Sequence, residues 1–87
     1  PDAVYVTFDI DGLDPTLCPN TGTPVPGGPL WDEAMVWLDE LAKSRKRVVG
    51  LDLNEVSAGP EGDAEGTSWD AIVGARLLYR LIGTALA

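Results

Sequence analysis

Histidine is missing from all 87 residues, so this chain cannot itself supply an imidazole ligand or proton shuttle. The single cysteine, Cys18, cannot form an internal disulfide. That is compatible with a reducing compartment, and a cytoplasmic location is expected. Basic residues are scarce, with 6 Lys and Arg against 14 Asp and Glu and a net charge of −8. So acidic a chain offers little surface for phosphates, and no nucleic-acid partner is expected. The acidic excess suits a metal cation or a cationic substrate, or a plain solvated surface. No stretch approaches the roughly 20 apolar residues of a membrane span, and no membrane partner is expected. No signal peptide is visible, although a missing N-terminus would hide one.

What is present makes at most one small domain with a limited core. The chain starts at Pro1 and runs almost at once into an apolar stretch, which suggests a piece of something longer. Val4 to Phe8 is β-branched and aromatic and is expected to form a short buried strand. It ends in the acidic run Asp9-Ile10-Asp11-Gly12-Leu13-Asp14. From Pro15 to Pro29 the chain is dense in proline and glycine, which excludes a helix or a central strand and predicts an ordered loop.

Leu30, Ala34, Trp37, Leu38 and Leu41 form an apolar stripe that predicts a helix over Leu30 to Ser44. Asp32 and Glu33 in its first turn, with Lys43, Arg45 and Lys46 at or past its last, suit the helix dipole. Val48 to Leu53 is a second expected strand, ending near Asn54-Glu55. A Gly- and acid-rich loop is expected over Ser57 to Ser68. A last helix, Trp69 to Leu86, follows, with Ser68 as its N-cap and Asp70 in its first turn, where the helix dipole favours an anion. Trp31, Trp37 and Trp69 are assigned to packing. The order strand, loop, helix, strand, loop, helix is that of a parallel α/β sheet with right-handed crossovers. Two strands alone do not make a stable open sheet, which again suggests further strands elsewhere.

Both acidic features follow strands, at the sheet edge where α/β proteins bind ligands. If the extended backbone continues through Ile10, Asp9 and Asp11 point the same way. Two ionised carboxylates so close repel, and a hard divalent cation such as Mn²⁺ or Mg²⁺ would relieve the repulsion. Glu55 would join them in one crevice. Asp14, before Pro15, is expected to fix the turn through local backbone amides. The same acidic pattern also occurs in solvated turns, and the residues alone leave that reading equally open. An EF-hand is rejected, because a strand precedes the run and prolines follow it.

These residues carry a resemblance. Phe8-Asp9-Ile10-Asp11-Gly12-Leu13-Asp14-Pro15 resembles the ureohydrolase (arginase and agmatinase) signature, with Thr7 in place of the common serine. Pro19 to Pro24 is similar to the family's P-x-T-G-T-P, and Gly27-Gly28 to its glycine pair. Gly50 to Val56 resembles G-x-D-[IV]-x-E-V, and Ala75 to Tyr79 resembles part of the last helix. The match runs through essentially the whole chain in the family's order.

The resemblance implies the C-terminal part of a three-layer α/β/α domain that hydrolyses a guanidino compound with two Mn²⁺ ions. Asp9 would bridge the ions and Asp11 would ligate one. Glu55 would hold the substrate guanidinium, and Thr23 would line the pocket mouth or order a turn. Asp52 would be structural. A pair of cations makes a nucleophile from water at neutral pH, which a poorly electrophilic guanidinium carbon requires.

The expected activity is agmatinase-like, agmatine to putrescine and urea, with arginase or formimidoylglutamase as the alternative. A non-catalytic paralogue or a metal-binding module is the alternative of another class. Full-length homo-oligomers are expected. The family's histidine and remaining aspartate ligands, and its acid and base groups, are not in this chain, so the 87 residues are expected to be inactive alone.

Overall fold

The structure, a computed structural model, describes residues 2–59 and 68–87. Most of the loop expected between Ser57 and Ser68 therefore lies outside the described residues. Strand β1 spans Ala3–Asp9, a one-turn 3-10 helix spans Ile10–Gly12, helix α1 spans Trp31–Lys43, strand β2 spans Arg47–Asn54 and helix α2 spans Trp69–Leu86. The order is the expected one.

β1 and β2 pair in parallel, with a register shift between Val4 and Tyr5. Past that shift the two faces separate by residue type. Val6 pairs with Leu51 and Phe8 with Leu53, and all four pack against the core. Tyr5 pairs with Gly50, Thr7 with Asp52 and Asp9 with Asn54, which places these on the opposite face, since side chains alternate along a strand.

The helices close the inner face. α1 contributes Ala34 and Leu38, and α2 contributes Val73, Leu77 and Leu81, each set at i, i+4 spacing and buried. Ile10, Leu13 and Cys18 complete the core from the loop side. Full burial of a leucine such as Leu77 stabilises by about 1.5–3 kcal/mol. The described residues thus supply the sheet and one helical layer of the expected three.

The helix ends explain why α1 is one residue shorter at each end than its apolar stripe suggested. Leu30 is the N-cap, and its N–H donates to the Glu33 carboxylate at 3.1 Å. Leucine has no side-chain acceptor to give in return, so only half of a capping box forms. After the C-cap Ser44, Arg45 takes the left-handed conformation (φ 59) that commonly ends a helix. α2 begins as expected, with the Ser68 hydroxyl accepting from the Ala71 N–H. Arg80 on α2 pairs with Asp39 on α1 at 2.9 Å. That pair is exposed and contributes little.

Candidate metal centre

Parallel register brings the two acidic strand ends level. Asp9 closes β1 opposite Asn54, and Glu55 is the next residue. Asp9 is exposed and extended (φ −99, ψ 120). Glu55 is also exposed, but its φ is 69, in the left-handed region that a non-glycine residue seldom occupies.

The extended course anticipated through Ile10 is not kept. The chain turns at once into the 3-10 helix, and the Leu13 N–H donates to the Ile10 carbonyl at 3.0 Å. Strand alternation therefore sets the direction of Asp9 but not that of Asp11. The cause is burial: Ile10 and Leu13 are both inaccessible to solvent, and a turn of three residues delivers both to the same side. Asp11 lies between them in sequence, half-buried.

Asp14 does what was expected of it. Its Oδ1 accepts from the Thr16 N–H at 3.0 Å and the Thr16 hydroxyl at 2.8 Å. These bonds, the backbone one foremost, hold the Asp14 carboxyl below its ordinary value. The proline- and glycine-rich loop then folds back onto this turn. The Asp14 N–H donates to the Pro29 carbonyl at 3.0 Å. Gly27 is left-handed (φ 85), and a Cβ on Gly28 would collide with the Gly12 carbonyl oxygen and lie 2.7 Å from the Leu13 carbonyl carbon. The glycine pair is thus a backbone requirement.

The segment Asn20 to Thr23 ties the site together. The backbone N–H and the side-chain amide of Asn20 both donate to the buried Asp70 carboxylate, each at 3.0 Å. The Thr21 hydroxyl donates to the Glu55 carbonyl at 3.0 Å. The Thr23 hydroxyl donates to Asp11 Oδ2 at 2.6 Å. The Trp69 indole N–H donates to the Thr16 carbonyl at 2.9 Å. Sequence reasoning gave Asp70 only a helix-dipole role and did not mark Asn20; the signal available was the capped first turn of α2.

Outside the acidic turn, Asp52 accepts from the Tyr5 hydroxyl at 3.0 Å, the Thr7 hydroxyl at 2.7 Å and the Asn54 side-chain amide. The Thr7 bond, then the Tyr5 bond, hold Asp52 below its ordinary pKa. In return, the hydrogen bond to Asp52 raises the Tyr5 phenol. Asp52 thus joins the strands on their outer face, a structural role. Cys18 donates to the Ile10 carbonyl at 3.2 Å. Burial, then the charges of Asp70, Asp11 and Asp14, push its thiol up, so it stays protonated.

The packing assigned to the tryptophans holds for Trp31, which lies against the core. Trp37 is 62% exposed, and it borders a hollow of about 320 Å³ beside Asp9 and Pro29.

Oxygen donors of this kind suit a hard cation such as Mn²⁺. Among the described residues the Asp9 carboxylate takes part in none of the hydrogen bonds above, and Asp11 has one oxygen besides the one Thr23 engages. The two fit a divalent metal as part of a donor set. They do not complete one: among the described residues no three His, Cys, Asp or Glu side chains group as a metal site. Nor, among them, is any helix long and apolar enough to cross a membrane.

Comparison with known proteins gives a consistent picture. A family model described as "Arginase family" matches residues 1–83. The chain is 45% identical over 86 residues to an agmatinase of Pyrococcus horikoshii, covering 95% of this chain and 27% of that protein. It is 39% identical over 80 residues to an N(1)-aminopropylagmatine ureohydrolase of Thermus thermophilus, covering 92% of this chain and 25% of that protein. The solved structure of proclavaminate amidino hydrolase from Streptomyces clavuligerus superposes with a TM-score of 0.75 at 35% identity, over 95% of this chain and 26% of that one. The chain therefore spans about a quarter of the length of the relatives it matches.

Proposed function

The chain belongs to the arginase family, and from that membership we propose that it forms the C-terminal part of a manganese-dependent ureohydrolase of agmatinase type. The complete protein would hydrolyse a small cationic guanidino compound to urea and an amine, in the cytoplasm and as a homo-oligomer. The observation that carries this reading is the parallel register that sets Asp9 and Glu55 at one sheet edge, with Asp11 held nearby in the same turn.

In this reading Asp9 and Asp11 hold divalent cations, with the remaining ligands supplied by other residues of the complete protein. When bound, such a pair of cations acidifies water and so supplies the nucleophile at neutral pH. Glu55 binds the planar guanidinium by charge-assisted hydrogen bonds and thereby orients its carbon. The Thr21 bond to the Glu55 carbonyl fixes the backbone from which that carboxylate projects. The chain's net charge of −8 attracts a cationic substrate. The names of the relatives, an agmatinase and an aminopropylagmatine ureohydrolase, support an agmatine-like substrate over an amino acid.

The test is turnover by the complete Mn²⁺-loaded protein on agmatine, arginine and guanidinobutyrate, read as urea release. Fastest release from agmatine is expected. Formamide release from formimidoylglutamate, or no urea from any of the three, would overturn the assignment.

A further inference from the structure

The hydroxyl of Thr23 is already committed to a carboxylate. It donates to Asp11 Oδ2 at 2.6 Å, within the short range of a charge-assisted O–H···O⁻ bond. A threonine hydroxyl has a single hydrogen, so once given to Asp11 it cannot also be donated to a ligand, and only the oxygen's lone pairs remain to accept.

The donor is also held from behind. Thr21 is hooked to the Glu55 carbonyl, and Asn20 is bonded twice to the buried Asp70. Pro24 follows and restricts the next φ. The hydroxyl therefore meets Asp11 from a segment anchored on β2 and α2, not from a free loop tip. Metal-ligating carboxylates are commonly oriented by such hydrogen-bonded partners, whose loss weakens metal binding.

We infer that Thr23 is a positioning residue, its hydroxyl fixing the orientation of Asp11 for metal binding. This rests on the reading of Asp11 as a ligand. Oδ2 is engaged by the hydroxyl, and the carboxylate is set so that its remaining lone pairs serve the cation. Asp70, through Asn20, holds the segment in place.

The experiment uses the complete protein and measures Mn²⁺ affinity by calorimetry and bound Mn²⁺ by elemental analysis. Thr23→Val keeps the shape and removes the donor. It should weaken binding of one ion by about 10- to 100-fold, while KM for the guanidino substrate at saturating Mn²⁺ stays as in wild type. Thr23→Ser restores the hydroxyl and should restore affinity. Thr23 is exposed, and Thr23→Ala repeats the loss of the donor with less bulk should the valine variant not fold. Wild-type Mn²⁺ affinity in the valine and alanine variants overturns the inference, and so does equal weakening in the serine variant. Unchanged affinity with a raised KM overturns it too, by returning Thr23 to the substrate. A wild-type protein that takes up no Mn²⁺ fails at the earlier step and removes the ligand reading together with this one.

Discussion

Asn20 hangs from the Asp70 carboxylate by two hydrogen bonds of 3.0 Å, although 50 residues separate them in sequence. Asp70 is fully buried, so its charge depends on these donors and on the N-terminal end of α2, where helix dipoles favour anions. Removing one side strands the other. Asn20→Ala takes the side-chain amide from the buried Asp70 carboxylate and should destabilise by about 1–3 kcal/mol, the cost of leaving a buried acceptor without its donor. Urea unfolding checks this.

The strand-end carboxylates should separate metal binding from substrate binding. In the complete protein, Asp9→Asn is expected to remove most bound Mn²⁺ and most activity. Glu55→Gln should keep the metal but lower kcat/KM about 10- to 100-fold, as loss of a charged hydrogen bond of about 1.5–3 kcal/mol implies. Elemental analysis beside urea-release kinetics distinguishes the two. Full metal content and rate in Asp9→Asn would remove the ligand assignment.

The outer-face trio of Tyr5, Thr7 and Asp52 makes stability depend on pH at both extremes. Asp52 titrates lower in the fold than its ordinary 3.8. Its contribution is therefore present above that value and is lost as pH falls through the lowered one. The Tyr5 phenol titrates above its ordinary 10.0, so its contribution is present below 10.0 and is lost as pH rises through the raised value. Asp52→Asn should flatten the acid limb and return the Tyr5 titration to the ordinary range. Phenolate absorbance, with Tyr5→Phe as reference, follows the second effect. High salt should leave much of both, since hydrogen bonds are the leading causes.

Two glycine substitutions should differ in cost because they meet different atoms. A Cβ at Gly28 meets backbone of the acidic turn, which cannot move aside alone. Gly28→Ala should cost about 1–3 kcal/mol, as overpacking does. A Cβ at Gly50 would lie 2.6 Å from Tyr5 Cε2, but the Tyr5 ring is largely exposed and can swing out. Gly50→Ala should cost less in melting temperature yet break the Tyr5–Asp52 bond, lowering the raised phenol pKa.

The regular elements were legible because their signals are periodic. The bounds expected for α2, Trp69 to Leu86, are those observed, since Ser68 caps one end and the apolar face persists to the other. Asp9 and Glu55 were readable as strand ends, and Asp14 as a turn residue. The turn at Ile10 was not, although Ile10 and Leu13 at a spacing of three were its signal; the neighbouring carboxylates suggested strand alternation instead. Thr23 with Asp11, and Asn20 with Asp70, were illegible for a different reason. Each pair joins a loop to a distant partner, and hydrogen bonds across a fold leave no period in the chain. The exposure of Trp37 escaped because an apolar stripe does not show which of its members other elements cover.

Glu55 sits at φ 69, where glycine is at ease. Left-handed strain in other residues costs about 1–3 kcal/mol, and glycine's extra freedom when unfolded offsets only about 0.5–1 of that. Laboratory selection for heat resistance, run with no guanidine to hydrolyse, would thus drift toward Glu55→Gly. If Glu55 holds the guanidinium as proposed, the surviving clones would melt later and turn over slowly, because function and durability then compete for that one position.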